Sequence, residues 1–197
     1  MKKYYLIIIV LLFSVGLLAQ ENEKLDLLKA DSTWLKEIIK FPFGFAPQIE
    51  FEGYEDLRFA KDWSKPKGSE FFTYAFVWNI NLYYSPSTDL IEKNIKLYYD
   101  GLMTAVNKEK HFTVPKTNVN FHQLNNKNGL PLFTGTIQLN DSFFTKKIIQ
   151  LNVTVETLYC KINKRYLLYF KVSTHKIGSD TWKKFDELEL KNNYCEL

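Results

Sequence analysis

The alternation of apolar and polar positions is clearest between Phe72 and Leu82. Phe72, Tyr74, Phe76, Trp78, Ile80 and Leu82 share one parity, and Thr73, Ala75, Val77, Asn79 and Asn81 the other. A period of two predicts a strand with one face buried and the other less so. Pro86 stops it. The period then changes: Ile91, Ile95, Tyr98, Leu102 and Val106 recur at steps of three and four. That stripe predicts a helix from Thr88 to about Asn107. Ser87 or Thr88 supplies the N-cap, and Asp89 and Glu92 sit where the macrodipole favours acids. Gly101 interrupts the helix at a cost of about 1 kcal/mol relative to alanine. Lys108 and Lys110 suit its C-terminal end.

Beyond the helix the pattern predicts an antiparallel meander. Asn118 to Leu124 and Leu130 to Leu139 flank a turn containing Asn128-Gly129, a strong hairpin signal. Ile149, Leu151, Val153, Val155 and Tyr159 alternate in a third strand, and Tyr166, Leu168, Phe170 and Val172 in a fourth, with Asn163-Lys164 between them. Ser179-Asp180 caps a short helix carrying Trp182, Phe185 and Leu188. On the N-terminal side, Asp31-Ser32 reads as the cap of a short helix, Thr33 to Lys40, ended by Phe41-Pro42. Ile49 to Phe51 and Leu57 to Phe59 read as two short strands around Gly53. The expected architecture is an α+β domain over residues 31–197. In it a curved antiparallel sheet packs on one long helix, with short N- and C-terminal helices at its flanks. By analogy it is a cystatin-like or NTF2-like cone.

The first residues follow a different pattern. Met1-Lys2-Lys3 precedes an apolar run from Leu6 to Leu18, then Ala19-Gln20. Charged, apolar and small residues in that order form a secretory signal peptide over residues 1–19. The run is shorter than the roughly 20 residues of a membrane span. Residues 20–30 are mostly polar and read as a flexible lead-in. The chain is thus expected to be exported, to the periplasm or the medium, with no membrane attachment after cleavage.

Composition narrows the picture further. Removing 19 of 197 residues leaves 178, which suits one domain. The formal charge of +4 falls to +2 once Lys2 and Lys3 are removed. Near-neutrality argues against nucleic-acid binding. The 16 Phe, 12 Tyr and 4 Trp point first to a β-rich core and second to a ligand-stacking surface. Cys160 and Cys195 are the two cysteines. In an exported chain they form a disulfide, the alternative being two buried thiols.

Candidate chemistry is sparse. Glu55-Asp56-Leu57-Arg58 is the densest polar cluster, and paired acids beside an arginine serve acid–base work or cation binding. Adjacent acids on a strand point to opposite faces, however, which favours a structural salt bridge. His111, His122 and His175 lack ligand spacing, and no catalytic residue, cofactor or metal site is assigned. Glu55, Asp56, Arg58 and Trp78 are the candidate ligand-binding residues. Asn140-Asp141-Ser142 and Asn152-Val153-Thr154 match the glycosylation pattern of a eukaryotic secretory pathway.

Three segments carry a resemblance: Phe41-Pro42-Phe43-Gly44-Phe45-Ala46-Pro47, Gly53-Tyr54-Glu55-Asp56-Leu57-Arg58-Phe59 and Tyr74-Ala75-Phe76-Val77-Trp78. Together they resemble a family of uncharacterised exported bacterial proteins, many from Bacteroidetes-type bacteria. The resemblance covers roughly the first half of the mature chain and implies export without implying an activity. Two functions are therefore expected to compete. One is a binding or accessory module for a small apolar ligand or a protein partner. The other is a hydrolase whose pocket is built from Glu55, Asp56, Arg58 and a histidine. The leader makes one direct prediction: mass spectrometry of the secreted chain should place its first residue at Gln20, and a secreted product retaining Met1 would refute the cleavage site.

Overall fold

The computed structural model describes residues 25–196 apart from 110 and 128, with the side chains of 125–127 also outside the description. The expected leader lies outside the described residues. In chain order the strands before the first helix are β1 (Leu28–Lys29), β2 (Leu35–Lys40), β3 (Gly53–Phe59) and β4 (Tyr74–Asn81). Helix α1 (Thr88–Ala105) follows, then β5 (Asn118–Lys127), β6 (Leu130–Asn140), β7 (Ile148–Cys160) and β8 (Arg165–Ser173). A single helical turn, α2 (Asp180–Lys183), a 3-10 turn (Lys184–Glu187) and β9 (Glu189–Leu190) complete the chain. The class is α+β, dominated by an antiparallel sheet.

Seven strands form the main sheet in the order β2-β3-β4-β8-β7-β6-β5, all neighbours antiparallel. β8 closes the meander onto β4, with Phe76 opposite Phe170 and their rings stacked at 4.4 Å. The cystatin-like or NTF2-like analogy is not borne out. Three strands of the main sheet precede the helix, and the meander joins them in one wide sheet.

The sheet is covered unevenly. β6 and β7 bury alternate residues, Phe133, Ile137 and Leu139 on one and Leu151, Val153 and Val155 on the other. Alternating burial follows the alternating residues there. β4, expected to have one less-buried face, is instead buried from Tyr74 through Ile80, on both parities. Tyr74, Phe76, Trp78 and Ile80 join a front core with Ile91, Ile95, Tyr98 and Tyr99 of α1. Ala75 and Val77 join a back core with Leu27, Leu28, Trp34, Trp182 and Phe185. Strands enclosed on both faces lose simple alternation of polarity.

α1 begins at Ser87, whose hydroxyl accepts from the Leu90 amide at 3.3 Å. Gly101 has a packing reason. A side-chain carbon there would collide with the carbonyl oxygen of Phe45, because the Phe43–Ala46 turn lies directly on the helix. The expected basic C-terminal end is not found: the last turn of α1 has no basic residue, and Lys110 is outside the described residues.

The N-terminal third departs most from expectation. The predicted helix from Thr33 to Lys40 is instead the edge strand β2, paired along β3 from Leu35↔Phe59 to Lys40↔Tyr54. Asp31 does accept from the amide and hydroxyl of Thr33, at 2.7 and 2.6 Å, but it caps a turn. So short a helix has little stability of its own. Pairing with β3 satisfies the backbone and sends Ile38 to the back core and Ile39 to the front. The expected strand at Ile49 to Phe51 is not formed, and β3 is one continuous strand starting at Gly53. Gly53 has φ +139°, and any side chain there would meet the Asn79 carbonyl and the Arg165 guanidinium. Residues 25–30, expected as flexible lead-in, are built into the fold: Leu27 and Leu28 are buried and β1 pairs with β9.

Cys160 and Cys195 form the expected disulfide, with Cα atoms 5.2 Å apart. The bridge ties the C-terminal tail to the end of β7. In the chain-entropy view, closing this loop stabilises the fold by at most about 4 kcal/mol.

The back face depends on one ion pair. Asp56 accepts from the amides of Leu27 and Leu28 at 2.7 and 3.0 Å and is bonded to Arg58 Nη1. Arg58 also donates to the carbonyls of Leu57 and Leu28, each at 2.7 Å, and pairs with Asp26. Arg58 is 3% exposed and Asp56 0%. Removing one partner of a buried pair leaves the other uncompensated, at a cost of about 3 to 5 kcal/mol. Arg58→Ala should therefore lower the unfolding free energy measured in urea by that order, and an unchanged midpoint would refute a structural role for the cluster.

Candidate functional site

A cavity of about 640 Å³ lies between α1 and the β2–β3 edge of the sheet. β3 contributes Leu57 and Phe59, and α1 contributes Tyr98, Tyr99, Leu102, Met103 and Val106. Leu102 and Val106 are the C-terminal members of the helix's apolar stripe. Both are half-buried and pack against the front core. Phe45, from the turn resting on Gly101, closes one end.

Two loops supply the remaining aromatic wall. The first carries Trp63 and Phe72. Phe72 has φ +50°, a left-handed conformation that costs a bulky residue about 1–2 kcal/mol, and its amide donates to the Trp63 carbonyl at 2.9 Å. The second follows β6. Asp141, fully buried, accepts from the amides of Phe143, Phe144 and Thr145 at 2.9, 3.0 and 2.6 Å. That carboxylate fixes the loop, so that Phe143 faces the cavity and Phe144 packs edge-on against Trp63. The same turn buries Asn140, whose amide donates to Ser142. Asn152 is likewise engaged, donating to the His175 carbonyl at 3.0 Å.

Polar groups at the cavity are few, and the three tyrosine hydroxyls among them are hydrogen-bonded. The Tyr74 and Tyr99 hydroxyls are bonded to each other. The Tyr98 hydroxyl donates to Glu55 Oε2 at 3.3 Å, and the Trp78 indole donates to Glu55 Oε1 at 2.9 Å. Burial pushes all three tyrosine hydroxyls above their ordinary value, so they remain neutral. Glu37, exposed on the edge strand, is the one carboxylate at the lining.

The four sequence-predicted residues are thus divided. Glu55 and Asp56 point to opposite faces, as their adjacency predicted. Glu55 and Trp78 meet in the front core behind Tyr98, whereas Asp56 and Arg58 meet in the back core. None of the four lines the cavity. His111 and His122 are exposed and His175 is half-buried beyond β8, and no histidine is at the cavity. Among the described residues, no group of three His, Cys, Asp or Glu is placed to hold a metal ion. Sequence reasoning missed the cavity wall itself. Its only local signal is the high aromatic content, which a core uses equally well.

The buried acids differ in their electrostatics. Burial raises the Glu55 carboxyl to about 8, against the Trp78 and Tyr98 hydrogen bonds, which lower it, and with Glu37 and Asp56, which raise it further. Burial likewise raises Asp56, opposed by Arg58 and the Leu28 and Leu27 amides. Asp26, at the mouth of the back-face cluster, resists its partial burial. Lys191, Arg58 and Lys36 hold it below the usual range.

No protein-family model matches the chain, and neither a curated protein nor a solved structure is significantly similar to it. The functional reading consequently rests on the cavity.

Glu55 yields a prediction with a definite sign. Its folded value lies above its ordinary 4.5, so folding favours the protonated form. The stability it contributes is complete below about pH 4.5 and is lost as pH rises through about 8. Glu55→Gln should remove this dependence. Measured by urea unfolding, the variant should gain stability relative to the parent between pH 5 and pH 8. Parallel profiles for the two proteins would refute it.

Proposed function

We propose that this protein is an exported binding or accessory module that holds a small apolar molecule between α1 and the β2–β3 edge. The observation that carries the reading is the cavity: about 640 Å³, walled by aromatic and aliphatic side chains, with the tyrosine hydroxyls facing it satisfied internally. Ligand sites are concave, predominantly apolar and of about 300–1,000 Å³. Phe72 is held there in a costly conformation, and Asp141 rigidifies the loop carrying Phe143. Both features preform the wall, which reduces the ordering cost of binding.

Export is supported by the leader pattern, by the disulfide and by the resemblance to exported bacterial proteins. No helix among the described residues is long and apolar enough to cross a membrane. The hydrolase reading required Glu55, Asp56, Arg58 and a histidine to converge, and their side chains are directed to different cores and surfaces. A protein partner is not favoured over a small molecule, because the apolar surface concerned is concave.

The test fills the cavity. Leu102 lies on its wall, half-buried, so Leu102→Trp places an indole in the space without removing core packing. A neutral naphthylamine dye should fluoresce on binding the parent protein, and ten-carbon alcohol should displace it. Leu102→Trp should weaken dye binding about tenfold or more while the urea midpoint is kept. Equal binding by the two folded proteins would refute the site.

A further inference from the structure

We infer that the cavity selects cationic amphiphiles, an amine or quaternary ammonium on an apolar body, over neutral and anionic ones of equal length. The inference rests on the binding reading above and adds the charge of the ligand. Three independent features converge on it.

The first is the carboxylate of Glu37. β2 pairs Glu37 with Leu57 and Ile39 with Glu55, so these side chains share the front face of the sheet. Glu37 is exposed at the lining, where an entering head group would pass or stop. The second is the end of α1. Leu102, Met103 and Val106 bring the helix C-terminus to the cavity, and its last turn carries no basic residue. The helix macrodipole places partial negative charge at that end, which favours cations. The third is the wall. Trp63, Phe59, Tyr74 and Phe143 line it with aromatic rings, and the negative quadrupole of a ring face attracts ammonium groups, tryptophan most strongly.

The opposite charge meets no counterpart. Among the described residues, no Lys, Arg or His lines the cavity. A fatty-acid carboxylate drawn into this cavity would be desolvated with no cation among the described lining residues. It would also meet the like charge of Glu37 at the lining. An alcohol avoids that repulsion but gains none of the three attractions.

The experiment compares decyltrimethylammonium, decanol and decanoate, each below its micellar concentration, as displacers of the neutral naphthylamine dye from the full mature protein at neutral pH. The ammonium compound should displace at about tenfold lower concentration than decanol, and decanoate should be the weakest. Glu37→Gln, a surface change that leaves the fold intact, should narrow the ammonium-to-alcohol ratio several-fold and leave the decanol value unchanged. Equal or tighter binding of decanoate would overturn the charge selectivity while leaving an apolar site standing. An ammonium preference unaltered in Glu37→Gln would overturn the role given to Glu37. Failure of all three compounds and of the dye would overturn the binding reading itself, and this inference with it.

Discussion

A buried charge must find its partners inside the protein, and Asp56 with Arg58 sets that requirement at the centre of this fold. Both side chains leave β3 on the back face, where water does not reach them. The guanidinium needs carbonyl and carboxylate acceptors, and the carboxylate needs donors. Leu27, Leu28 and Asp26 provide them, which obliges the N-terminal segment to lie across the sheet. Leu27 and Leu28 then close the back core with Trp182 and Phe185, and β1 docks on β9. The ion pair adds little net stability compared with an apolar substitute, but it specifies which segment covers the sheet.

The front face answers the same physical demand differently. Glu55 is buried among aromatic rings with two neutral donors, Trp78 and Tyr98, and no cation. Its carboxyl is accordingly raised, whereas Asp26, surrounded by three cations, is lowered. Consuming the Tyr98 hydroxyl on Glu55 and the Tyr74 hydroxyl on Tyr99 leaves the cavity beside them with an apolar interior. The inward acid thereby determines the character of the site without touching its contents. Charge enters only at the edge, through Glu37 and the helix end.

Much of the fold was legible because periodicity reports burial directly. α1 and the meander strands β5 to β8 each carry an apolar stripe on the face toward the front core, so steps of three and four or of two identify them, although β8 also sends Leu167 and Tyr169 to the back core. The disulfide was legible from cysteine number and from the leader pattern that predicts export. The N-terminal third was not. Thr33 to Lys40 holds a capping residue and too few positions to display a period, and only pairing with β3 makes it a strand. The mostly polar composition of residues 20–30 concealed Leu27 and Leu28, whose burial depends on Asp56 and Arg58 far along the chain. For the same reason Glu55 and Trp78 drew notice as unusual residues while the cavity wall did not. Polar residues stand out in a sequence, and a Phe lining a cavity reads the same as a Phe filling a core.

By itself the sequence determined that one antiparallel α+β domain would form, that Glu55 and Asp56 would face apart, and that Cys160 and Cys195 would pair. These follow from simple rules: side chains alternate along a strand, and two cysteines alone in a chain can pair within it only with each other. Tertiary structure alone decided which strands are enclosed on both faces, which segment satisfies Arg58, and where packing stops short of filling space. The cavity exists because the turn at Phe45, the loop at Phe72, the Asp141 loop and the end of α1 meet around a volume none of them fills. That volume is a property of distant segments meeting, and no local pattern of residues encodes it.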